Sequence, residues 1–369
     1  MALTPGIEKL RSYLATTRTR IAGGGTVCCV VGNEAADLDS MASAVMYAYC
    51  RDLSTDANGI TYVPVINIPR ADYKLRTEAV YLFTEAGIDP DWLIFIDEID
   101  LAALHSRGRL KIALVDHNKP AAAQASYAST VIEVIDHHKD EGLFTDATPR
   151  VIEPVGSAAT LVAQAILDRD PALLEEGSAK LLLGTILLDT VNLDPEAKRA
   201  TEQDEKIVDQ LLSLSGANRT ELFDALQFEK FNVSALSSAD LLRKDYKQWQ
   251  MGETRVGISS VLLSVADWLK KDSGLSASLA GYAKSQGLDV LIAMNAYTNP
   301  DFTRELVVYC PNEALRTRLL DFLNASDLGL SAIASDSVDG ATALFAQANL
   351  GYSRKKLQPL LDGFFASKA

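Results

Sequence analysis

The chain has 369 residues, of which 48% are hydrophobic and 23% are charged, and its formal net charge is −14. This length favours two domains rather than one core, and the composition is typical of a soluble globular protein. The acidic charge disfavours nucleic-acid binding, which usually requires a basic surface, and it favours a monomer.

The first part of the chain and the cysteines favour a cytoplasmic protein without membrane contact. Residues 1–25 predict an amphipathic helix rather than a secretory signal. The apolar run TVCCVVG at 26–32 is far too short to span a bilayer. The four cysteines show no CxxC spacing, so neither a zinc motif nor a disulfide framework is expected, which indicates a reducing compartment.

Short apolar runs alternate with helical patterns through the first half of the chain. The strand-like runs lie at 26–32, 62–68, 91–97, 110–116 and 130–136. The helical patterns lie at 40–53, 76–87, 156–167 and 178–194. Continuous apolar strands separated by helices predict an α/β fold whose parallel sheet has helices on both faces.

A charged segment at 195–232 predicts the connection to a second, smaller α/β domain. The second half of the chain restarts at 237–249. Its predicted strands lie at 255–263, 288–297 and 304–310, and its predicted helices include 312–326 and 353–366. We therefore place the first domain at residues 1–215 and the second at 216–369.

Polar groups follow the predicted strands of the first domain at the points where the strands end. Parallel sheets bind ligands at the carboxyl ends of their strands, so these groups are expected to meet at one edge. They are Asn33, Asp37, Asp39, Asp97, Asp116, His117, Asn118, Asp136, His137 and His138. Carboxylates packed this closely would repel one another without a cation, and carboxylate with imidazole suits Mn²⁺, Mg²⁺, Co²⁺ or Zn²⁺.

Asp189 lies inside the strongly apolar helical pattern LLLGTILLDT. A buried aspartate is rare unless it is paired or binds a metal, so Asp189 is a further candidate ligand. The alternative is an aspartate that is solvated at the end of the helix.

Simpler roles compete with metal binding at several strand-end positions. Either Asp37 or Asp39 can cap the helix that starts near Ser40, although both cannot cap the same turn. His137 and His138 should point in opposite directions in an extended chain. Four further residues are expected to have supporting, turn, helix-start or surface roles: His117, Asp97, Asp100 and His105.

Phosphate groups would require basic side chains, and three short stretches provide them. They contain Arg70, Lys74 and Arg76, then Lys244 and Lys247, and finally Arg354, Lys355 and Lys356. A solvated surface is the commoner location of such residues. The stretch SRKK at 353–356 begins the last predicted helix, and a helix N-terminus with an arginine is suited to anions.

The motifs DLDS, VDHN, IDHH and LLLGTILLDT, followed by SRKK in a second domain, resemble the DHH phosphoesterase superfamily. The two-domain form with a DHHA2-type C-terminal domain is the most similar. It includes fungal-type exopolyphosphatases, prune-like proteins and family II inorganic pyrophosphatases. The resemblance implies a two-metal phosphohydrolase that closes its second domain over the site.

The resemblance also implies individual roles. The implied ligands of the paired metals, which are Mg²⁺ or Mn²⁺ with Co²⁺ as an alternative, are Asp37, Asp39, Asp116, His137 and Asp189, with Asp116 and Asp189 bridging. The implied catalytic residues are Asp116, His138 and Arg354. The implied substrate-binding residues are Asn33, Arg76, His138, Lys247, Arg354 and Lys355.

Asn33 departs from the pyrophosphatase pattern, which has histidine at this position. Asparagine suits Mg²⁺ better than Mn²⁺, and Asn33 in this position is similar to the fungal-type exopolyphosphatases. The stretch IPRADYKLR resembles the branch that contains exopolyphosphatases and prune-like proteins. The resemblance therefore implies removal of terminal phosphate from linear polyphosphate. A pyrophosphatase or short-chain polyphosphatase, a non-catalytic prune-like scaffold and a nucleotide phosphodiesterase are the alternatives.

Overall fold

A computed structural model describes residues 6–54, 59–298 and 300–366. The chain divides into two compact units, of which the first ends at Phe231 and the second begins at Asn232. None of the helices in the described ranges is long and apolar enough to cross a membrane. All four cysteines are buried and none of them forms a disulfide, in agreement with the expectation that no disulfide framework exists.

The first unit contains a five-stranded parallel sheet in the order β2-β1-β3-β4-β5. Its strands are β1 (Val27–Val31), β2 (Thr61–Val65), β3 (Leu110–Val115), β4 (Val131–Asp136) and β5 (Arg150–Ile152). Its helices are α1 (Glu8–Ala22), α2 (Leu38–Asp52), α3 (Arg70–Tyr73), α4 (Thr77–Glu85), α5 (Leu101–Ser106), α6 (Ala158–Arg169), α7 (Glu176–Asp189), α8 (Glu202–Ser215) and α9 (Arg219–Phe231).

Both faces of this sheet are covered, as the continuous apolar runs predict. Alternate side chains of β1 enter two different apolar clusters: Cys28 and Val30 join one, whereas Val27, Cys29 and Val31 join the other. The first cluster includes residues of α1, α2, α4, α6 and α7, and the second includes residues of α5. A strand that is buried on both sides has no polar face, which explains its unbroken apolar sequence.

The apolar run at 91–97 is not a strand, so this prediction was wrong. Leu93, Ile94 and Phe95 are buried, but only one bridge, between Ile66 and Phe95, joins the run to the sheet. Short 3₁₀ turns lie on either side, at Pro90–Trp92 and Ile96–Glu98. Burial of the apolar side chains produces the same sequence pattern whether or not the backbone pairs.

The second unit contains a mixed six-stranded sheet in the order β10-β11-β9-β8-β7-β6. Its strands are β6 (Tyr246–Met251), β7 (Thr254–Val261), β8 (Val290–Thr298), β9 (Phe302–Tyr309), β10 (Leu330–Ala332) and β11 (Thr342–Gln347). Its helices are α10 (Ser238–Lys244), α11 (Val265–Lys271), α12 (Leu275–Gln286), α13 (Glu313–Ala325) and α14 (Arg354–Ala366).

The three predicted strands of this unit are present as β7, β8 and β9, whereas β6, β10 and β11 were missed. The segment at 237–249 contains α10 and the first residues of β6, so Lys247 lies in a strand. Strand β6 forms a hairpin with β7, and Gly252 has a φ of 58° in the turn. Glycine takes this conformation without strain, which made Gly252 the available signal for a hairpin.

The division between the units lies after the predicted boundary at 215. Helix α9 belongs to the first unit, because Leu226 is fully buried in its main apolar cluster. The hydroxyl of Thr77 in α4 also donates to the carbonyl of Glu229 in α9. Gly216, at a φ of 59°, ends α8 but does not end the unit.

Candidate metal centre

The carboxyl ends of β1, β3 and β4 form one edge of the parallel sheet, and a cavity of about 370 Å³ lies there. Six of the predicted site residues line it, together with Val155, Gly156 and Arg199. The six are Asp37, Asp39, Asp116, His137, His138 and Asp189. The rule that ligands bind at the carboxyl ends of parallel strands therefore describes this site.

Asp116 follows β3 directly, and its backbone adopts a left-handed conformation with a φ of 59°. Only 2% of the residue is exposed. Its Oδ2 accepts hydrogen bonds from the Ser40 hydroxyl at 2.6 Å and from the Asn33 amide at 2.8 Å. Aspartate tolerates this backbone region better than most residues, so the fold holds a buried carboxylate in one orientation at the sheet edge.

His137 directs one ring nitrogen at the carboxylates. Its Nδ1 donates to the carbonyl of Val155 at 3.0 Å, which leaves Nε2 3.2 Å from Asp116 Oδ1 and 3.7 Å from Asp39 Oδ2. Burial alone would lower the pKa of His137, but the hydrogen bond to Asp116 and the charge of Asp39 together raise it to about 10. An imidazole held by a carbonyl at Nδ1 is oriented as metal-bound histidines are.

Asp37 and Asp39 have different structural roles. Asp37 is the N-cap of α2, because its Oδ1 accepts from the backbone N–H of Ser40 at 3.1 Å. Asp39 instead accepts from the first backbone N–H groups of α6, at Ala158 and Ala159, at 2.6 and 2.8 Å. Burial and the charge of Asp116 raise the pKa of Asp39 well above its ordinary value. Each carboxylate retains lone pairs for a further ligand.

Asp189 is the last residue of α7, which is otherwise almost wholly buried. Its Oδ2 is buried and has no hydrogen-bond partner among the described residues. Burial, followed by the charge of Asp37, raises the pKa of Asp189 to about 7. A buried carboxylate oxygen without a partner is costly, and a bound cation removes that cost.

His138 lies beside His137 rather than on the opposite side of the chain. Their ring centroids are 4.4 Å apart, and His138 Nδ1 is 3.7 Å from Asp116 Oδ1. The expectation from strand alternation was wrong because both residues follow the end of β4. His138 Nδ1 is 2.8 Å from Asp136 Oδ1, and this hydrogen bond raises the pKa of His138.

These residues fit a divalent cation. Asp116, His137 and His138 can each place one ligand atom within 4.8 Å of the others. The unpartnered Asp189 Oδ2 is a further donor at the same cavity. Oxygen and imidazole donors suit Mg²⁺, Mn²⁺, Co²⁺ or Zn²⁺.

Four other residues considered in the sequence do not line the cavity. His117 donates a hydrogen bond from Nδ1 to the carbonyl of Val115. His105 is exposed, and its ring makes an edge contact with the ring of Tyr127. Asp100 caps α5, and Asp97 accepts from the backbone N–H of Arg70. Their turn, helix-start and surface locations agree with the expectations above.

Asn33 faces Asp116 with its amide nitrogen rather than offering its oxygen to the cavity. Its Oδ1 accepts from the backbone N–H groups of Ala35 and Ala36 at 2.9 and 3.2 Å. The guanidinium of Arg76 donates to the carbonyls of the same two residues, so it braces this turn beside the cavity. Substrate binding by Asn33 and Arg76 remains a prediction.

We expect Asn33→Ala to lower turnover about tenfold or more without unfolding the protein, because Asp116 loses one of two hydrogen bonds that fix Oδ2. Steady-state rates of phosphate release from linear polyphosphate, with Mg²⁺ and with Mn²⁺, measure this effect. Glu34→Gln is the matched control, since Glu34 is an exposed neighbour that does not line the cavity. Equal rates for Asn33→Ala and wild type would show that Asn33 does not position Asp116.

The predicted phosphate-binding residues of the second unit lie on two elements. Arg354 begins α14 and forms an ion pair with Asp245 at 2.6 Å. Lys247 in β6 and Lys355 in α14 are exposed. Their role toward substrate remains a prediction.

Arg199, which was not among the predicted site residues, lines the cavity from the segment between α7 and α8. Asp189 and Arg199 are ten positions apart, on either side of a loop that includes three consecutive left-handed residues at 191–193. No local sequence pattern marks Arg199, because its place at the cavity depends on the contact of this loop with Gly156.

Comparisons with known proteins match both units. The model of the DHH family N-terminal domain matches residues 27–189, and that of the DHHA2 domain matches residues 224–364. The exopolyphosphatase PRUNE1 of Rattus norvegicus is 37% identical over 358 residues, covering 96% of this chain and 78% of that protein. A putative exopolyphosphatase of Schizosaccharomyces pombe is 36% identical over 377 residues, covering 97% of this chain and 96% of that protein.

A more distant relative is the manganese-dependent inorganic pyrophosphatase of Methanothrix thermoacetophila. It is 25% identical over 269 residues, covering 72% of this chain and 79% of that protein. The rat and fission-yeast relatives differ by one percentage point in identity, so identity does not favour the fungal branch over the prune branch.

Proposed function

The chain belongs to the family of proteins that join a DHH domain to a DHHA2 domain, and on this premise we propose that it hydrolyses phosphoanhydride bonds. The proposed reaction removes the terminal orthophosphate from linear inorganic polyphosphate, with water as the attacking group. The observation that carries the proposal is the cavity that brings together four aspartates and two histidines. The names of the rat and fission-yeast relatives support this substrate class.

We propose that two divalent cations, Mg²⁺ or Mn²⁺, bind to Asp37, Asp39, Asp116, His137 and Asp189. Divalent cations at such a site activate a water molecule and neutralise charge on phosphate oxygens. Support comes from the pKa values of Asp39 and Asp189, which burial and then neighbouring negative charge raise above their ordinary values. The manganese dependence in the pyrophosphatase relative's name is consistent with this choice of metals.

We propose that His138 donates a proton to the leaving phosphate. Its Nδ1 is held by Asp136, and 57% of its side chain is exposed, so Nε2 remains available to substrate. The raised pKa keeps His138 protonated to a higher pH than an ordinary histidine. We propose that three basic residues of the second unit bind further phosphate groups of the polyphosphate: Lys247, Arg354 and Lys355.

Release of orthophosphate from long-chain polyphosphate, tripolyphosphate and pyrophosphate tests the proposal, with Mg²⁺ and Mn²⁺ compared at equal concentration. We expect the highest kcat/KM with polyphosphate and no turnover after chelation. Preference for pyrophosphate would support the alternative that the archaeal relative suggests. A folded protein that binds metal but releases phosphate from none of the three substrates would contradict the proposal and favour a scaffold.

A further inference from the structure

We propose that Arg199 binds phosphate oxygens of the substrate in the acidic cavity, a role that rests on the phosphoanhydride hydrolysis proposed above. Arg199 lines the same cavity as Asp37, Asp116, His138 and Asp189. It belongs to the first unit, so it would supply a phosphate-binding cation in addition to the predicted basic groups of the second unit.

The backbone beside Arg199 is fixed. Gly156 packs so closely against it that an added Cβ would lie 2.9 Å from the carbonyl oxygen of Arg199. The Asp204 carboxylate, fully buried, accepts from the backbone N–H groups of Gly156 and Thr201 at 2.9 and 2.7 Å. Asp204 therefore ties the end of this loop to the segment that contains Val155 and Gly156, which also line the cavity.

The side chain of Arg199, in contrast, is exposed and unengaged. No hydrogen bond or ion pair joins its guanidinium to any residue in the described ranges, although four aspartates line the same cavity. Arginines with a structural role in this unit are paired: Arg20 with Asp52, and Arg51 with Glu133. Because the backbone of Arg199 is anchored and its guanidinium has no partner in the described ranges, the guanidinium is available to bind a ligand.

The charge of the cavity indicates the kind of ligand. Carboxylates repel phosphate, so a phosphate group that enters the cavity requires positive charge from bound cations and from side chains. Guanidinium offers a planar pair of N–H donors that matches two phosphate oxygens, and it is always charged. A phosphate group that contacts both Arg199 and cations bound by the aspartates would receive positive charge from a side chain and from the cations.

The test compares Arg199→Gln, Arg199→Lys and Lys198→Gln. Lys198 is the matched control, because it is the exposed basic neighbour of Arg199 and does not line the cavity. Binding of inorganic phosphate to the Mn²⁺-loaded protein is measured by calorimetry, and KM and kcat are measured with tripolyphosphate. We expect Arg199→Gln to weaken phosphate binding and raise KM at least about tenfold, as loss of a charged hydrogen bond does.

Arg199→Lys should recover part of this loss, and Lys198→Gln should behave as wild type. Mn²⁺ affinity and the melting temperature should be unchanged in all three variants, since the guanidinium has no partner among the described residues. Equal phosphate binding by wild type and Arg199→Gln would overturn the proposal. Arg199-dependent phosphate binding in a protein that hydrolyses none of the substrates would support the site and reject the proposed function.

Discussion

Replacement of Asp116 by alanine should reduce hydrolysis by at least about a thousandfold. Four side chains approach the two oxygens of Asp116. Ser40 and Asn33 donate hydrogen bonds to Oδ2, and ring nitrogens of His137 and His138 lie 3.2 and 3.7 Å from Oδ1. Removing it deletes a proposed metal ligand and thus several kcal/mol of transition-state stabilisation. Initial rates with polyphosphate and Mn²⁺ measure the loss.

Two further variants separate chemistry from folding. Alanine at a φ of 59° is more strained than aspartate, so Asp116→Ala should also lower the melting temperature. Asp116→Asn keeps the shape, tolerates this backbone region and can still accept from Ser40, and it should be folded yet equally inactive. Asp97→Asn is the control, since Asp97 also follows an apolar run but does not line the cavity. A folded Asp116→Asn protein with more than a tenth of wild-type activity would refute the proposed role.

The sequence predicts the parts of this molecule that depend on local pattern. Unbroken apolar runs identify β1, β3 and β4, and strand-end geometry then places Asp116 and His137 at one edge. The same pattern fails at 91–97, where the apolar side chains are buried but the backbone makes one bridge. The apolar residues of a run determine that it is buried, whereas strand pairing depends on which backbone segments lie beside the run in the fold.

The contributions of Asn33 and Arg199 depend on tertiary structure and were not predictable from type and position alone. Asn33 looks like a replacement for a ligand, but the structure turns its oxygen toward two backbone N–H groups and its nitrogen toward Asp116. Arg199 reaches the cavity because the fixed loop after α7 returns to Gly156. Contacts of this kind join residues that are distant in sequence, and no local period reports them.

Asp189→Asn should weaken Mn²⁺ binding at least about 100-fold while leaving the metal-free protein folded. The substitution keeps the shape of the side chain and removes the charge of an oxygen that has no partner among the described residues. Burial, together with the charge of Asp37, raises the pKa of Asp189 to about 7 in the absence of metal. The folded protein therefore holds this proton more tightly than the unfolded chain does.

The sign of the stability effect follows from that pKa. Between about pH 4 and pH 7 the unfolded chain loses the Asp189 proton first, so metal-free wild type loses stability as pH rises through this range. Asp189→Asn has no such proton, and in chelator at pH 8 it should be at least as stable as wild type. Added Mn²⁺ should then stabilise the variant less than wild type.

Calorimetry measures the Mn²⁺ affinity, and thermal unfolding measures the stability. Glu196→Gln is the control, because Glu196 is an exposed acid of the same loop that does not line the cavity. Unchanged Mn²⁺ affinity would remove Asp189 from the metal site, since a carboxylate that binds a cation cannot lose its charge without cost.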